Sequence, residues 1–139
     1  MAGDTIAAQL RAFFARHPDA VAAVYLFGSV ARGTVTEASD VDVAVLLEED
    51  PPRTLSAGRA DLADALERAL ERPVDLVVLN HAPVDLIHRV LRDGRLVMDQ
   101  GPSARIRFEV RARNEYFDLK PTLDLYRRPR TPTGGKTAA

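Results

Sequence analysis

The chain has no cysteine, which excludes a disulfide framework and any zinc site built on thiolates. A reducing cytoplasm fits that absence and is the expected compartment. No apolar run approaches the length of a membrane span, and no basic-then-apolar leader opens the sequence. The three histidines, His17, His81 and His88, share no ligand-like spacing, so loop or surface positions are expected for them. No Asp-oriented histidine accompanies Ser29, which makes that serine a poor nucleophile. Two nucleotide-binding motifs are missing as well. Gly134-Gly135-Lys136-Thr137 ends like a P-loop, but the earlier glycine would have to stand at Arg130, and no strand precedes it. Between Gly28 and Gly33 the middle glycine of the dinucleotide fingerprint is absent. There is no internal repeat.

What remains is a globular composition. With 139 residues, 46% of them hydrophobic, the chain can bury one core without staples. A single domain is expected over 1–129, followed by a disordered tail at 130–139 rich in Pro, Gly and polar residues. The net charge of −1 hides an asymmetry: residues 101–139 carry nine Lys/Arg against four acids, a balance of +5 that leaves −6 for residues 1–100. An acidic body with a basic C-terminal segment suits a partner protein, an anionic ligand or a solvated Arg-rich helix face.

Hydrophobic periodicity predicts alternating helices and strands. Residues 5–16 read as a helix with Ile6, Leu10, Phe13 and Phe14 on one stripe and Asp4 as N-cap. Strands follow at 21–27, 41–47, 74–79 and 95–98, and helices at 54–70, 83–92 and 103–126, the last kinked at Pro121. A short helix is expected to open at 29–32, with a loop at 33–39. Asp64, Glu67, Arg68 and Glu71 fall at helical spacing and read as a salt-bridged solvent face. Such an alternation predicts an α/β or α+β layer structure around one central sheet. The apolar residues of the last helix cannot all lie on one stripe, so either part packs on the sheet and part faces another chain, or the helix curves and packs them all internally.

Against this background three acids stand in or beside strands. Asp40 and Asp42 are two apart, so their carboxylates share one strand face. Like charges held together are costly unless neutralised, and a divalent cation is the natural neutraliser. Upstream, Gly28-Ser29 closes an apolar strand at a strand-to-helix turn. Gly28 allows close backbone approach, the helix start offers free N–H groups for phosphate, and Ser29 adds a hydroxyl donor. Asp75, in an otherwise apolar run, is the best further ligand for a second metal, provided its strand lies beside that of Asp42. Each feature has a plainer reading alone: a turn and cap for Gly28-Ser29, a solvated strand end for the acids, an exposed helix-turn residue for Arg32. In combination they match what nucleotidyl transfer from a triphosphate demands.

The string Leu26-Phe27-Gly28-Ser29-Val30-Ala31-Arg32-Gly33, followed by Ser39-Asp40-Val41-Asp42, resembles the signature of the DNA polymerase β-like nucleotidyltransferase superfamily, and in particular its minimal MNT members. Asp75 in Pro73-Val74-Asp75-Leu76 matches their third acidic position. The resemblance spans roughly residues 5–100 and implies a palm-like fold with a mixed sheet flanked by helices. It implies ATP as substrate and two Mg²⁺ ions. Asp40, Asp42 and Asp75 would be the catalytic metal ligands, and Gly28 and Ser29, with Arg32 within reach, would hold the triphosphate. It further implies an antitoxin that transfers AMP to a tyrosine of a HEPN-domain toxin, with neither a membrane nor a nucleic acid as partner. A chain of this length has no room for the extra domains that hold other acceptors, so an acceptor supplied in trans fits. Two other readings stay open: a non-catalytic module that occludes its partner, and nucleotidyl transfer to a small molecule such as an aminoglycoside.

Overall fold

The computed structural model describes residues 2–16, 21–28, 40–48 and 56–127. The elements are α1 (Ala2–Arg16), β1 (Val21–Phe27), β2 (Val41–Leu47), α2 (Ser56–Leu70), β3 (Val74–Val78), a 3₁₀ turn (Leu79–His81), α3 (Val84–Asp93), β4 (Arg95–Asp99) and α4 (Pro102–Arg127). The expected helix at 29–32, loop at 33–39 and tail at 130–139 lie outside the described residues.

The strands form one mixed sheet in the order β3-β2-β1-β4. β1 runs antiparallel to both β2 and β4, while β2 and β3 are parallel. A parallel pair needs a long crossover, and the connection carrying α2 supplies it. Side-chain alternation then sorts the strands onto two covered faces. Val41, Val43 and Val45 join Val24, Leu26 and Leu76 beneath α1 and α2, where Leu10, Phe14 and Leu66 are fully buried. Tyr25, Ala44 and Leu46 face the other way, against Ile87 and Val90 of α3 and Phe108 and Ala112 of α4. Each such large apolar side chain contributes about 1.5–3 kcal/mol on burial. A bulge in β1 lets Val21 pair with Leu47 and Ala23 with Leu46. The extra residue puts Ala22 and Ala23 in the same cluster, against simple alternation.

Several expectations shift locally. α1 begins earlier than position 5, so Asp4 lies in its first turn and pairs with Arg95 (3.0 Å). β3 stops at Val78 because Leu79 enters the 3₁₀ turn. There Asn80 mimics a strand: its Oδ1 accepts from Leu47 N–H (2.9 Å) and its Nδ2 donates to Leu47 C=O (3.0 Å). Glu67 belongs to no salt-bridged solvent face, since its carboxylate accepts from Val74 N–H (2.9 Å), and Arg59 donates to Leu76 C=O (2.9 Å). These two α2 side chains occupy backbone groups of edge strand β3 that would otherwise invite another strand. His88 is not a plain surface histidine, because its ring stacks on Tyr116 at 3.5 Å, joining α3 to α4.

α4 continues through Pro121 and buries Phe108, Ala112 and Tyr116. Ile106, Val110 and Phe117 stand exposed on another stripe, so the helix does not pack all its apolar residues internally. A polar network holds α4 to the sheet. The Tyr25 hydroxyl donates to Glu109 (2.7 Å), and Arg105 donates to both Glu109 (3.1 Å) and Asp99 (2.8 Å). Asp99 Oδ1 is buried without a hydrogen-bond partner among the described residues, so the arginine carries most of the compensation for this acid. Burial, then the bond to Glu109, pushes the Tyr25 phenol well above its ordinary value of 10.0.

Arg105→Ala should cost about 2 kcal/mol, because it takes from part-buried Asp99 the donor it has, while Glu109 keeps the Tyr25 hydroxyl and Arg113. Tyr25→Phe should cost about 1 kcal/mol, because Arg105 still holds Glu109. Above pH 10.0 the unfolded chain loses the Tyr25 proton while the folded chain keeps it, so stability should fall as pH rises there. Urea denaturation of both variants, and a shallower alkaline loss in Tyr25→Phe, would check the assignment.

Candidate active site

Three strands bring their ends together beside α3. The β1–β2 register sets Phe27 opposite Asp42, and the β2–β3 register sets Asp42 opposite Asp75. Neighbouring strands lie about 4.8 Å apart, so two carboxylates stand side by side on the sheet face covered by α3. Asp42 is half-buried and Asp75 exposed. Asp40 lies just before β2, exposed, two residues from Asp42 and therefore continuing the same alternation.

Gly28 follows directly on Phe27 with φ +73, a left-handed conformation that side chains disfavour. A β-carbon there would run into Asp42 Oδ2 and come within 2.9 Å of its Cγ. The bare backbone of the bend is thus what lets the Asp42 carboxylate sit against it. Ser29 and Arg32 fall outside the described residues.

A cleft of about 410 Å³ opens at this point, lined by Phe27, Gly28, Asp42, Asp75 and Val77 from the sheet and by Leu86, Arg89 and Asp93 from α3. Structure therefore brings together Gly28, Asp42 and Asp75, while Asp40 is not among the lining residues. Among the described residues no three His, Cys, Asp or Glu side chains form a group able to cage a metal. The donor set that is present, two adjacent carboxylates beside an open cleft, nevertheless fits Mg²⁺. That ion usually takes one or two carboxylates and completes its shell with water and substrate phosphates. Reasoning from the sequence missed Leu86, Arg89 and Asp93. Their signal was the i, i+3, i+7 spacing that puts them on one helix stripe, but which way that stripe faces was not readable.

A small mixed sheet flanked by helices, with paired aspartates beside a glycine bend, defines a nucleotidyltransferase palm. The polymerase beta nucleotidyltransferase family model matches residues 8–103, and the chain belongs to that family. Over 73 residues it is 41% identical to the protein adenylyltransferase MntA of Shewanella oneidensis, covering 52% of this chain and 50% of MntA. The chain thus spans about half the length of that curated relative. Its fold is similar to a crystal structure of a toxin–antitoxin with AMP-PNP, at TM-score 0.73 and 27% identity over 86% of this chain and 94% of the other. It is also similar in fold to a chain from the complex of tri-AMPylated Shewanella oneidensis HEPN toxin with MNT antitoxin. There the TM-score is 0.69 and the identity 23%, over 89% of this chain and 94% of the other.

Gly28→Ala should be tolerated by neither the bend nor the carboxylate. We expect a loss of about 1–2 kcal/mol from the left-handed backbone alone, read by thermal denaturation.

Proposed function

We propose that this chain transfers AMP from ATP to a hydroxyl, a tyrosine of a HEPN-domain toxin, and so acts as the antitoxin of a toxin–antitoxin pair in the cytoplasm. The observation that carries this reading is the register that sets Asp42 beside Asp75 against the Gly28 bend. Support comes from the relative that is a protein adenylyltransferase and from the toxin–antitoxin structure with AMP-PNP. We take residues 1–129 as one catalytic domain.

Asp42 and Asp75, with Asp40 at the strand entry, would hold two Mg²⁺ ions. When bound, the metal neutralises the departing pyrophosphate and lowers the pKa of the attacking hydroxyl. The Gly28 backbone seats the triphosphate, with Ser29 as a hydroxyl donor and Arg32 near the phosphates. The acceptor oxygen then attacks the α-phosphorus, its proton passes to solvent, and the bond to pyrophosphate breaks. Phe27 and Leu86 give the cleft apolar surface beside the carboxylates.

A second reading rests on the exposed α4 stripe, where Phe117 is 63% accessible. A partner seated there could be neutralised by occlusion alone. The two readings separate in one experiment. Incubation with labelled ATP, Mg²⁺ and the toxin should put label on the toxin, and Asp40→Ala or Asp42→Ala should abolish it. Retained neutralisation by the Asp40→Ala/Asp42→Ala double variant would favour occlusion instead, and transfer surviving chelation by EDTA would remove the metal from the scheme.

Asp75→Asn supplies a different check. Like charges directly opposite on neighbouring strands are destabilising. Without metal the variant should therefore gain up to about 0.5 kcal/mol in urea denaturation, and with Mg²⁺ and ATP supplied it should lose transfer.

A further inference from the structure

We propose that Arg89 is the side chain of α3 that binds the phosphate oxygens of the nucleotide, closing the cleft from the side opposite the sheet. The proposal rests on the nucleotidyl-transfer reading and adds to it a residue outside the Gly-Ser and aspartate motifs.

The argument starts with the helix. Ile87 and Val90 are buried against the sheet, whereas Leu86, Arg89 and Asp93 occupy the stripe that lines the cleft. Arg89 is thus not on an indifferent solvent face. The second arginine of α3 is already committed. Arg92 donates through Nε and Nη2 to the two oxygens of Asp93, at 2.9 and 2.8 Å. A fork of that kind satisfies the carboxylate it meets, so Asp93 has a cation of its own. Arg89 carries no salt bridge among the described residues and is the one cation among the cleft-lining residues described.

An arginine with no ion pair among the described residues, in a cleft with three aspartates, is best explained by a ligand. The anion would have to bring several oxygens, because a guanidinium presents five donors in a planar fork suited to phosphate. A nucleoside triphosphate carrying magnesium would suit both halves of the wall, since Asp42 and Asp75 would hold the metal and Arg89 the phosphates. In the transfer step the acceptor oxygen–phosphorus bond forms as the α–β phosphoanhydride bond breaks. Pyrophosphate leaves with the bonding electrons, and the acceptor proton goes to solvent. Negative charge grows on the phosphate chain, where a fixed cation stabilises it most.

The test uses the whole chain, AMP-PNP with Mg²⁺ as the binding probe, and adenosine as the phosphate-free comparison. Arg89 is exposed, so Arg89→Ala should fold as the parent does. We expect it to weaken AMP-PNP binding about tenfold, to leave any adenosine binding unchanged, and to raise the KM for ATP with a lower kcat. Arg89→Lys should recover part of the affinity but less of kcat, since it restores charge without the fork. Arg107→Ala, exposed on α4, controls for loss of one positive charge and should bind as the parent does. Equal AMP-PNP affinity in the parent and Arg89→Ala would overturn the proposal, as would a parent that binds no nucleotide. A parent that binds AMP-PNP through Arg89 yet labels no toxin would uphold this proposal and sink the transfer reading.

Discussion

The parallel pairing of β2 with β3 is the constraint on which the site depends. It sets Asp42 opposite Asp75, and a shift of one residue would turn every β3 side chain to the other face. Such a register is held from both sides of the sheet. Val43 and Leu76 lock the face under α1 and α2, Asn80 extends the pairing past the strand end, and Glu67 and Arg59 fasten the outer edge of β3 to α2. The repulsion between two neighbouring carboxylates is therefore borne by an apolar core and a set of backbone hydrogen bonds, none of which takes part in chemistry.

The same division of labour runs across the sheet. On one face the valines of β2 meet α1 and α2 in a dry cluster. On the other, the apolar cluster reaches Phe27 at the strand ends, and the row of Phe27, Asp42 and Asp75 borders the cleft beside α3. α4 is anchored separately, through Tyr25, Glu109 and Arg105. Its exposed stripe is left over once Phe108, Ala112 and Tyr116 have been buried. The cleft and the apolar helix surface are thus built on the same sheet face but from different helices.

The periodicity of the chain was legible wherever one force dominated. Strands 21–27 and 41–47 agree with expectation because β-branched and apolar residues there are buried on both faces. Helix starts were less legible. α1 begins before Asp4, because a good cap residue is also tolerated inside a first turn, where its charge meets the helix dipole. β3 was read one residue too long, since an apolar Leu79 looks the same in a strand and in a turn buried beneath it. Glu67 was read as solvent-facing because nothing in helical spacing reveals a strand edge lying alongside.

By itself the sequence determined the local elements, the glycine at the bend and the two-residue spacing of Asp40 and Asp42, because these follow from short-range sterics and alternation. It also carried enough motif to point to the family. Only the tertiary structure decided that Asp75 stands beside Asp42, that the Arg89 stripe of α3 faces the cleft while Arg92 is taken by Asp93, and which stripe of α4 is buried. Those outcomes depend on strand order, register and helix rotation, which are set by contacts between residues far apart in the chain and leave no trace in local periodicity.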